Sequence, residues 1–373
     1  MKSNSFLFLL VLVLVACQEK PKAVSDLENI KEPNTRSYIE DNINAKELNE
    51  FLSRKIDSLS IPGISIAIVK NGEILLHQEA GYSDIENQIR VDNNTIFEAC
   101  SMSKPVFAYF VLKMRDKGLI DLDKPLYEYL VYEDIAYDER HKMITARMIL
   151  SRRSGLPNWH EYEPADPSLN LPDGAQYLKF NPGTSFYYSG EGYQYLVDVV
   201  CNILDTDVFH LNEFVDKELF QAMGVKNAKF GWTSYIESHK AIGYRFNEGK
   251  NKPGELKKFD EFSAAGGLHT SALDYARFMI GMMNCKELSS KSCKEMFSEA
   301  SKLPEDWDAD YWGLGIEITQ TAYGRMFSHS GNNGDFTCYS LFFEDTKDGY
   351  VFLTNNNLAG DIYDDLYEYI LKN

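Results

Sequence analysis

The chain has 373 residues, of which 44% are hydrophobic, 13% aromatic and 25% charged. That excludes a disordered chain or a short module and leaves one large or two interleaved domains with enough apolar surface for a core. Lysine and arginine total 38 against 56 aspartates and glutamates, a net charge of -18 with no basic block to follow a phosphate backbone, so nucleic acid is not an expected partner.

At the N-terminus Lys2 precedes an apolar run from Phe6 to Ala16. The run is shorter than the ~20 residues a bilayer crossing needs and too apolar for a surface loop, so residues 1–16 read as a signal peptide. It ends Leu14-Val15-Ala16-Cys17, which resembles the bacterial lipoprotein cleavage box, where the cysteine becomes the lipidated first residue. An ordinary secretory signal with an incidental cysteine is the alternative. Residues 17–37, polar and with two prolines, then serve as a tether. The expected location is the bacterial cell envelope, with the membrane met only through lipid on Cys17. Five further cysteines, Cys100, Cys201, Cys285, Cys293 and Cys338, are an odd number, so at least one is a free thiol. Cys285 and Cys293 are close enough in sequence to pair. No C-x-x-C, H-E-x-x-H or tight Cys/His cluster is present, and no metal is expected.

The body occupies residues 38–373. Ile64 to Val69 is a β-rich run, Asn71-Gly72 is a strong two-residue hairpin signal, and Ile74 to His77 continues the hairpin. After Ser101, the positions Phe107, Phe110, Val111 and Met114 have helical spacing and Gly118 supplies a stop, predicting a buried amphipathic helix. Residues 120–260 mix short helical stretches with turns such as Ser154-Gly155-Leu156-Pro157 and Asn181-Pro182-Gly183, the pattern of a helical subdomain with long loops. Ser271 with Asp274 starts a second helix, for which Leu273, Ala276, Ile280 and Met283 form the expected apolar face. Gly315 to Thr319, Thr337 to Phe343 and Tyr350 to Thr354 read as strands, and Tyr363 to Leu371 as a helix. Strands at both ends around a helical middle predict an α+β fold with one sheet built from both chain ends.

The chemistry centres on Ser101-Met102-Ser103-Lys104, which places Lys104 one helical turn beyond Ser101 on the same face. A serine hydroxyl is a poor nucleophile at neutral pH, whereas a partly desolvated lysine has a lowered pKa and can take or relay its proton. Backbone N–H groups at the helix start suit a developing oxyanion. Taken alone, the tetrad is a weak signal that more often marks an N-cap serine followed by a surface lysine. Arg152 and Arg153, before the Ser-Gly-Leu-Pro turn, fit a helix C-terminus that complements the dipole and solvates a face, and Gly266-Gly267 fits a tight turn.

The stretches Thr95 to Lys104, Ile144 to Leu150, Ser154 to Pro157, Pro182 to Ser189 and Ala264 to Leu268, followed by His329-Ser330-Gly331, resemble in order the serine β-lactamase and penicillin-binding-protein superfamily. The resemblance runs from about residue 45 to 357 and is nearest the class C β-lactamase-related branch of esterases and D-peptidases. It implies a β-lactamase/transpeptidase-like fold with an antiparallel sheet flanked by helices. It also implies Ser101 as nucleophile, Lys104 as its proton partner and Tyr188 as the phenolic acid/base. The backbone N–H groups of Ser101 and Asn332 would form the oxyanion hole, and His329, Ser330 and Gly331 would line the substrate strand. Outside that context Tyr188 reads as a packed aromatic and His329 as a structural histidine at a strand end.

Two positions depart from the family pattern. Tyr-x-Asn is Tyr188-Ser189-Gly190, which lacks the amide that would hold the substrate's acyl side chain. Lys-Thr-Gly is His329-Ser330-Gly331, where a permanent cation becomes an imidazole with a reference pKa of ~6.5. The expected activity is hydrolysis of small amide or ester bonds, such as D-peptides of the cell wall, through an acyl-enzyme on Ser101 and without metal or organic cofactor. A true β-lactamase and a non-catalytic binder of cell-wall fragments remain as alternatives.

Overall fold

The structure is a computed structural model and describes residues 37–39, 43–163, 165, 167–171, 175–255, 258 and 260–371. The signal peptide, Cys17 and all but the last residue of the tether lie outside the described residues.

The Asn71-Gly72 pair does what its chemistry allows. Both residues have positive φ, 54° and 77°, the mirror-image turn that matches the twist of two antiparallel strands. It joins β1 (Gly63–Lys70) to β2 (Glu73–Asp84), and the Asn71 N–H is tied to the Asp348 carboxylate at 3.0 Å. The short β3 (Ile89–Arg90) follows on the outer edge of β2. The rest of the sheet comes from the far end of the chain: β4 (Ser301–Lys302), β5 (Tyr311–Trp312), β6 (Glu317–Thr321), β7 (Gly324–Asn332), β8 (Thr337–Phe343) and β9 (Gly349–Thr354). Their order is β3-β2-β1-β9-β8-β7-β6-β5-β4, nine strands paired antiparallel throughout. The two chain ends meet where β1 pairs with β9, Ile64 opposite Thr354 and Ile68 opposite Tyr350.

Because side chains alternate across a strand, a sheet covered on both faces needs apolar residues at consecutive positions. In β1, Ile64, Ile66 and Ile68 join one core with Tyr350 and Phe352, while Ala67 and Val69 join the other with Val351 and Leu353. Among the described residues five helices reach ten residues: α1 (Ala45–Leu59), α2 (Ser103–Asp116), α3 (Glu191–Leu204), α4 (Ala272–Met283) and α5 (Ile362–Leu371). α1 and α5 cover the first core through Leu48, Leu52, Ile56, Ile362, Leu366 and Ile370. α2, α3 and α4 belong to the second, larger core. The result is three layers, the β-lactamase/transpeptidase-like α+β arrangement.

Three local expectations need correction. α2 is buried nearly all round, from Ser103 to Leu112 and at Met114, because it runs through the middle of its layer and has no solvent face. It still stops just before Gly118, which takes the left-handed conformation at φ 71° after the Lys117 cap. α4 starts as expected, with the Ser271 hydroxyl accepting from Asp274 N–H, but its buried apolar side chains are Ala272, Tyr275, Ala276, Phe278, Met279 and Met282. Of the expected face only Ala276 is buried; Leu273, Ile280 and Met283 are half-buried. Within 120–260 the short helices Ala146–Leu150, Leu211–Val215 and Ser234–His239 accompany α3, together with an unforeseen hairpin, Tyr244–Asn247 with Lys250–Pro253. Its turn is Glu248-Gly249, both at positive φ, and glutamate carries no turn signal. Cys285 and Cys293 are bridged, their Cα atoms 5.6 Å apart, whereas Cys100, Cys201 and Cys338 are buried free thiols.

Ile66 is fully buried and faces α1 and α5 rather than the layer that holds Ser101. Ile66→Ala should lower stability to urea by about 2–5 kcal/mol. Ser101 reactivity in the folded variant should stay at the wild-type level, and a parallel loss would show that the two cores are not separate.

Candidate active site

Ser101 lies in a 3₁₀ turn, Cys100–Met102, that runs into α2, so its hydroxyl stands at the start of the helix. The turn is under backbone constraint, since Cys100 is held at φ 48°, a conformation that a residue with a Cβ adopts only when its surroundings enforce it. The enforcing element is the sheet. A Cβ at Gly331 of β7 would sit 2.6 Å from the Ala99 carbonyl and 2.7 Å from Cys338 Sγ, so only glycine lets the strand press this closely on the turn. Cys338 Sγ donates to Ala99 O at 2.9 Å from β8. From the other side the buried Ser103 hydroxyl donates to Cys100 O at 2.6 Å and accepts from Leu268 N–H at 3.0 Å, which ties the turn to the Ala264–Leu268 loop. Burial and the neighbouring Cys338 push the Cys100 thiol well up.

Lys104 is 2% exposed, and its Nζ donates to Ser101 Oγ at 3.1 Å and to the Ala265 carbonyl. Burial holds its pKa below the ordinary lysine value; the nearby Tyr188 opposes this and Arg152 adds to it. The same Nζ lies 5.0 Å from the centroid of the Tyr188 ring. For Tyr188 burial is the largest influence and opposes ionisation. The charges of Lys104 and then Arg152, with the polar groups of Ser101 and Lys104, outweigh it, and the phenol falls below the ordinary tyrosine value. The predicted Ser101, Lys104 and Tyr188 are thus brought together, lining one cavity of about 560 Å³ with His329, Ser330, Gly331 and Asn332.

His329 is 2% exposed, with its ring edge-on to Trp312 at 5.5 Å. Its Nδ1 lies 2.6 Å from the Ser330 carbonyl, which can only accept, so Nδ1 carries the proton and Nε2 is an acceptor. Burial first, then the charges of Arg152 and Lys104, hold its pKa well below 6.5. The strand that carries a lysine elsewhere in the superfamily therefore carries a neutral ring here. At the other departure, a Cβ on Gly190 would meet the Trp159 indole at 2.6 Å. An asparagine has no room there because Trp159 fills its place. Asn158 Oδ1 accepts from Gly190 N–H at 2.9 Å, and the Asn158 side chain lines the cavity. Gly266 is the last residue of a turn at Ala264–Gly266 and lines the cavity, and Gly267 follows it.

Arg152 overturns its expectation. It is 1% exposed and stands against Tyr188, whereas Arg153 closes a loop by donating to the Gly183 carbonyl. Glu317, on β6, was not anticipated either. It lines the cavity beside Trp307, accepts from Ser328 Oγ at 3.1 Å, and is pushed up by burial to about 7. Neither residue belongs to a motif, and their placement follows from strand register and loop path. Among the described residues no group of His, Cys, Asp and Glu could hold a metal ion, and no helix is long and apolar enough to cross a membrane.

The beta-lactamase family model matches residues 48–372, which extends the expected resemblance through α5. The chain belongs to the beta-lactamase family. It is 25% identical over 330 residues to Protein flp of Staphylococcus aureus (strain MW2), covering 85% of this chain and 64% of that one, so it spans about 64% of the length of that relative. Its fold is similar to that of an octameric penicillin-binding protein homologue from Pyrococcus abyssi, with a TM-score of 0.76 at 22% identity over 88% of this chain and 77% of the other. It is also similar to a D-alanine carboxypeptidase AmpC from Burkholderia cenocepacia, with a TM-score of 0.72 at 18% identity over 88% and 99%.

Glu317 gives a signed test of the site's electrostatics. An unfolded glutamate ionises near 4.5 and the folded one near 7, so the folded state must give up a proton it holds more tightly, and stability falls as pH rises through that window. Glu317→Gln removes this loss. Relative to wild type it should gain on the order of 1–3 kcal/mol between pH 5 and pH 8 in urea titrations. A wild-type-to-variant difference that does not change with pH would contradict the assignment.

Proposed function

We propose that the chain is a serine hydrolase that cleaves small amide or ester bonds through an acyl-enzyme on Ser101. The observation that carries this reading is the 3.1 Å contact between Ser101 Oγ and the buried Lys104 amine beside Tyr188 at the cavity. In this reading Lys104 and Tyr188 share the Ser101 proton as Oγ attacks the carbonyl carbon, and Tyr188 delivers it to the departing nitrogen or oxygen. The backbone N–H groups of Ser101 and Asn332 take the oxyanion. Asn158, anchored by Gly190 N–H, offers its amide to the acyl portion in place of the missing asparagine.

Substrates of the D-peptide class, from the cell wall, are favoured over penicillins. Fold likeness does not choose between them, since a D-alanine carboxypeptidase and a class C beta-lactamase are similar to this chain at the same TM-score of 0.72 and 18% identity. The neutral His329 and the space taken by Trp159 count against the second, because both replace groups that would recognise a penicillin. Export through residues 1–16 and lipid attachment at Cys17 would place the enzyme in the cell envelope, facing such substrates.

Treatment of the folded protein with a fluorophosphonate should add one phosphonyl group by intact mass. Ser101→Ala should abolish the adduct and lower hydrolysis by at least about 10³-fold. A penicillin should give a slow or persistent adduct. Penicillin turnover as fast as ester turnover would instead favour a β-lactamase, and folded wild-type protein that takes neither reagent would favour a binding protein.

A further inference from the structure

Glu317 carries the one carboxyl group among the described residues that line the cavity holding Ser101. Its place is set by register: on β6 it lies opposite Ser328 of β7 on one side and Trp312 of β5 on the other. Both carboxyl oxygens meet neutral donors, Oε2 the Ser328 hydroxyl at 3.1 Å and Oε1 the Trp307 indole N–H at 3.4 Å, and among the described residues it forms no ion pair. Arg152 is packed against Tyr188 and does not line the cavity, and Lys104 is engaged with Ser101 Oγ and the Ala265 carbonyl. Two neutral donors do not offset a negative charge taken from water, whereas a cation brought into the cavity does.

The surroundings suit a cation from the substrate. Trp307, Tyr188 and Trp159 line the cavity with Glu317, and a carboxylate among aromatic rings holds an ammonium by charge and by the ring quadrupole together. Of the charged and titratable groups facing Glu317, Arg152 lowers its pKa and Asp308, next to Trp307 in the chain, raises it. Tyr339 of β8 and Tyr363 of α5 are pushed up by burial and stay phenols, and His329 of β7 stays neutral. Under the acyl-transfer reading Tyr188 hands the proton to the departing atom, and Trp307 packs against Tyr188 with centroids 6.3 Å apart and planes at 25°. The Glu317–Trp307 wall therefore meets the leaving portion of the substrate, whereas Asn158 meets the acyl portion.

We propose that Glu317 is a specificity-determining residue whose carboxylate, beside Trp307, receives an ammonium on the leaving portion of the substrate. The placement on the leaving side rests on the acyl-transfer reading above. The substrate class is then narrower than small amides and esters: an amide, ester or thioester whose departing fragment carries an amine or a quaternary ammonium. A departing fragment that carries a carboxylate is disfavoured by the same charge, and the opened penicillin ring is such a fragment. Glu317 neither gives nor takes the proton of the reaction, which passes from Tyr188 to the departing atom as its bond to the carbonyl carbon breaks.

Two thioesters of equal shape read this on the full chain. Acetylthiocholine carries a quaternary ammonium whose charge does not change with pH, and S-(3,3-dimethylbutyl) thioacetate is its neutral counterpart. Wild type should favour the cation in kcat/KM, mainly through KM, and the preference should grow as pH rises through about 7, because the carboxyl attracts the cation only once it is ionised. Titration of Lys104 or Tyr188 alters the attack on both thioesters and cancels in the ratio. Glu317→Gln, which is expected to fold because it relieves the burial cost described above, should lower the ratio at about pH 8 by at least about tenfold and leave it flat with pH. A wild-type ratio of about one at that pH, or a Gln variant that keeps the wild-type ratio, would overturn the proposal. Calorimetry with choline reads the same subsite without turnover, and wild type should bind it more tightly than Glu317→Gln. A chain that shows this difference but takes no fluorophosphonate at Ser101 loses the acyl-transfer reading and keeps the cation site. A chain that reacts at Ser101 and shows neither the ratio nor the choline difference loses the Glu317 assignment alone.

Discussion

The site depends on burying one amine. Lys104 loses its water at the start of α2, and what replaces the water is a serine hydroxyl, a backbone carbonyl and an aromatic ring. None of these is a carboxylate that would fix the amine as an inert cation. A charge so placed costs stability, and the cost lowers the proton affinity of the amine. The rest of the fold supports that placement: β7 and β8 press on the Ser101 turn, the Ala264–Leu268 loop closes over the amine, and α2 is buried along most of its length.

The charges around this centre are distributed in an unusual way for the superfamily pattern. The strand position of the permanent lysine holds a neutral His329. A second cation is nonetheless present, brought by Arg152 from a loop on which a left-handed backbone, φ 63°, turns the chain. A similar exchange occurs at Gly190, where Trp159 fills the side-chain space and Asn158 brings an amide to the same cavity. Both exchanges keep a chemical group in the site while changing the segment that carries it, and both reshape the walls that meet the substrate more than the nucleophile itself.

Which parts were legible in sequence follows from the range of each signal. The Asn71-Gly72 hairpin, the β8 strand at Thr337–Phe343 and the spacing from Ser101 to Lys104 are local, and the structure carries each of them as read. The buried face of α4 was misplaced because Leu273, Ile280 and Met283 satisfy helical periodicity as well as the residues that are buried. Arg152 was hidden for a physical reason: an arginine after a short helix fits a solvated C-terminus, and only the path of the loop beneath Tyr188 and Trp312 buries it. Glu317 was hidden because its face is set by the pairing of β6 with β7, with Glu317 opposite Ser328.

The central claim is that buried Lys104, coupled to Tyr188, activates Ser101. The most direct test is the rate of Ser101 phosphonylation followed against pH in wild type and Lys104→Met. The account predicts a wild-type rate that reaches its plateau well below the ordinary lysine and tyrosine values, and a loss of about 10²–10⁴-fold with loss of the plateau in the variant. A wild-type rate that climbs steadily through pH ~10, or a Lys104→Met chain as reactive as wild type, would contradict it.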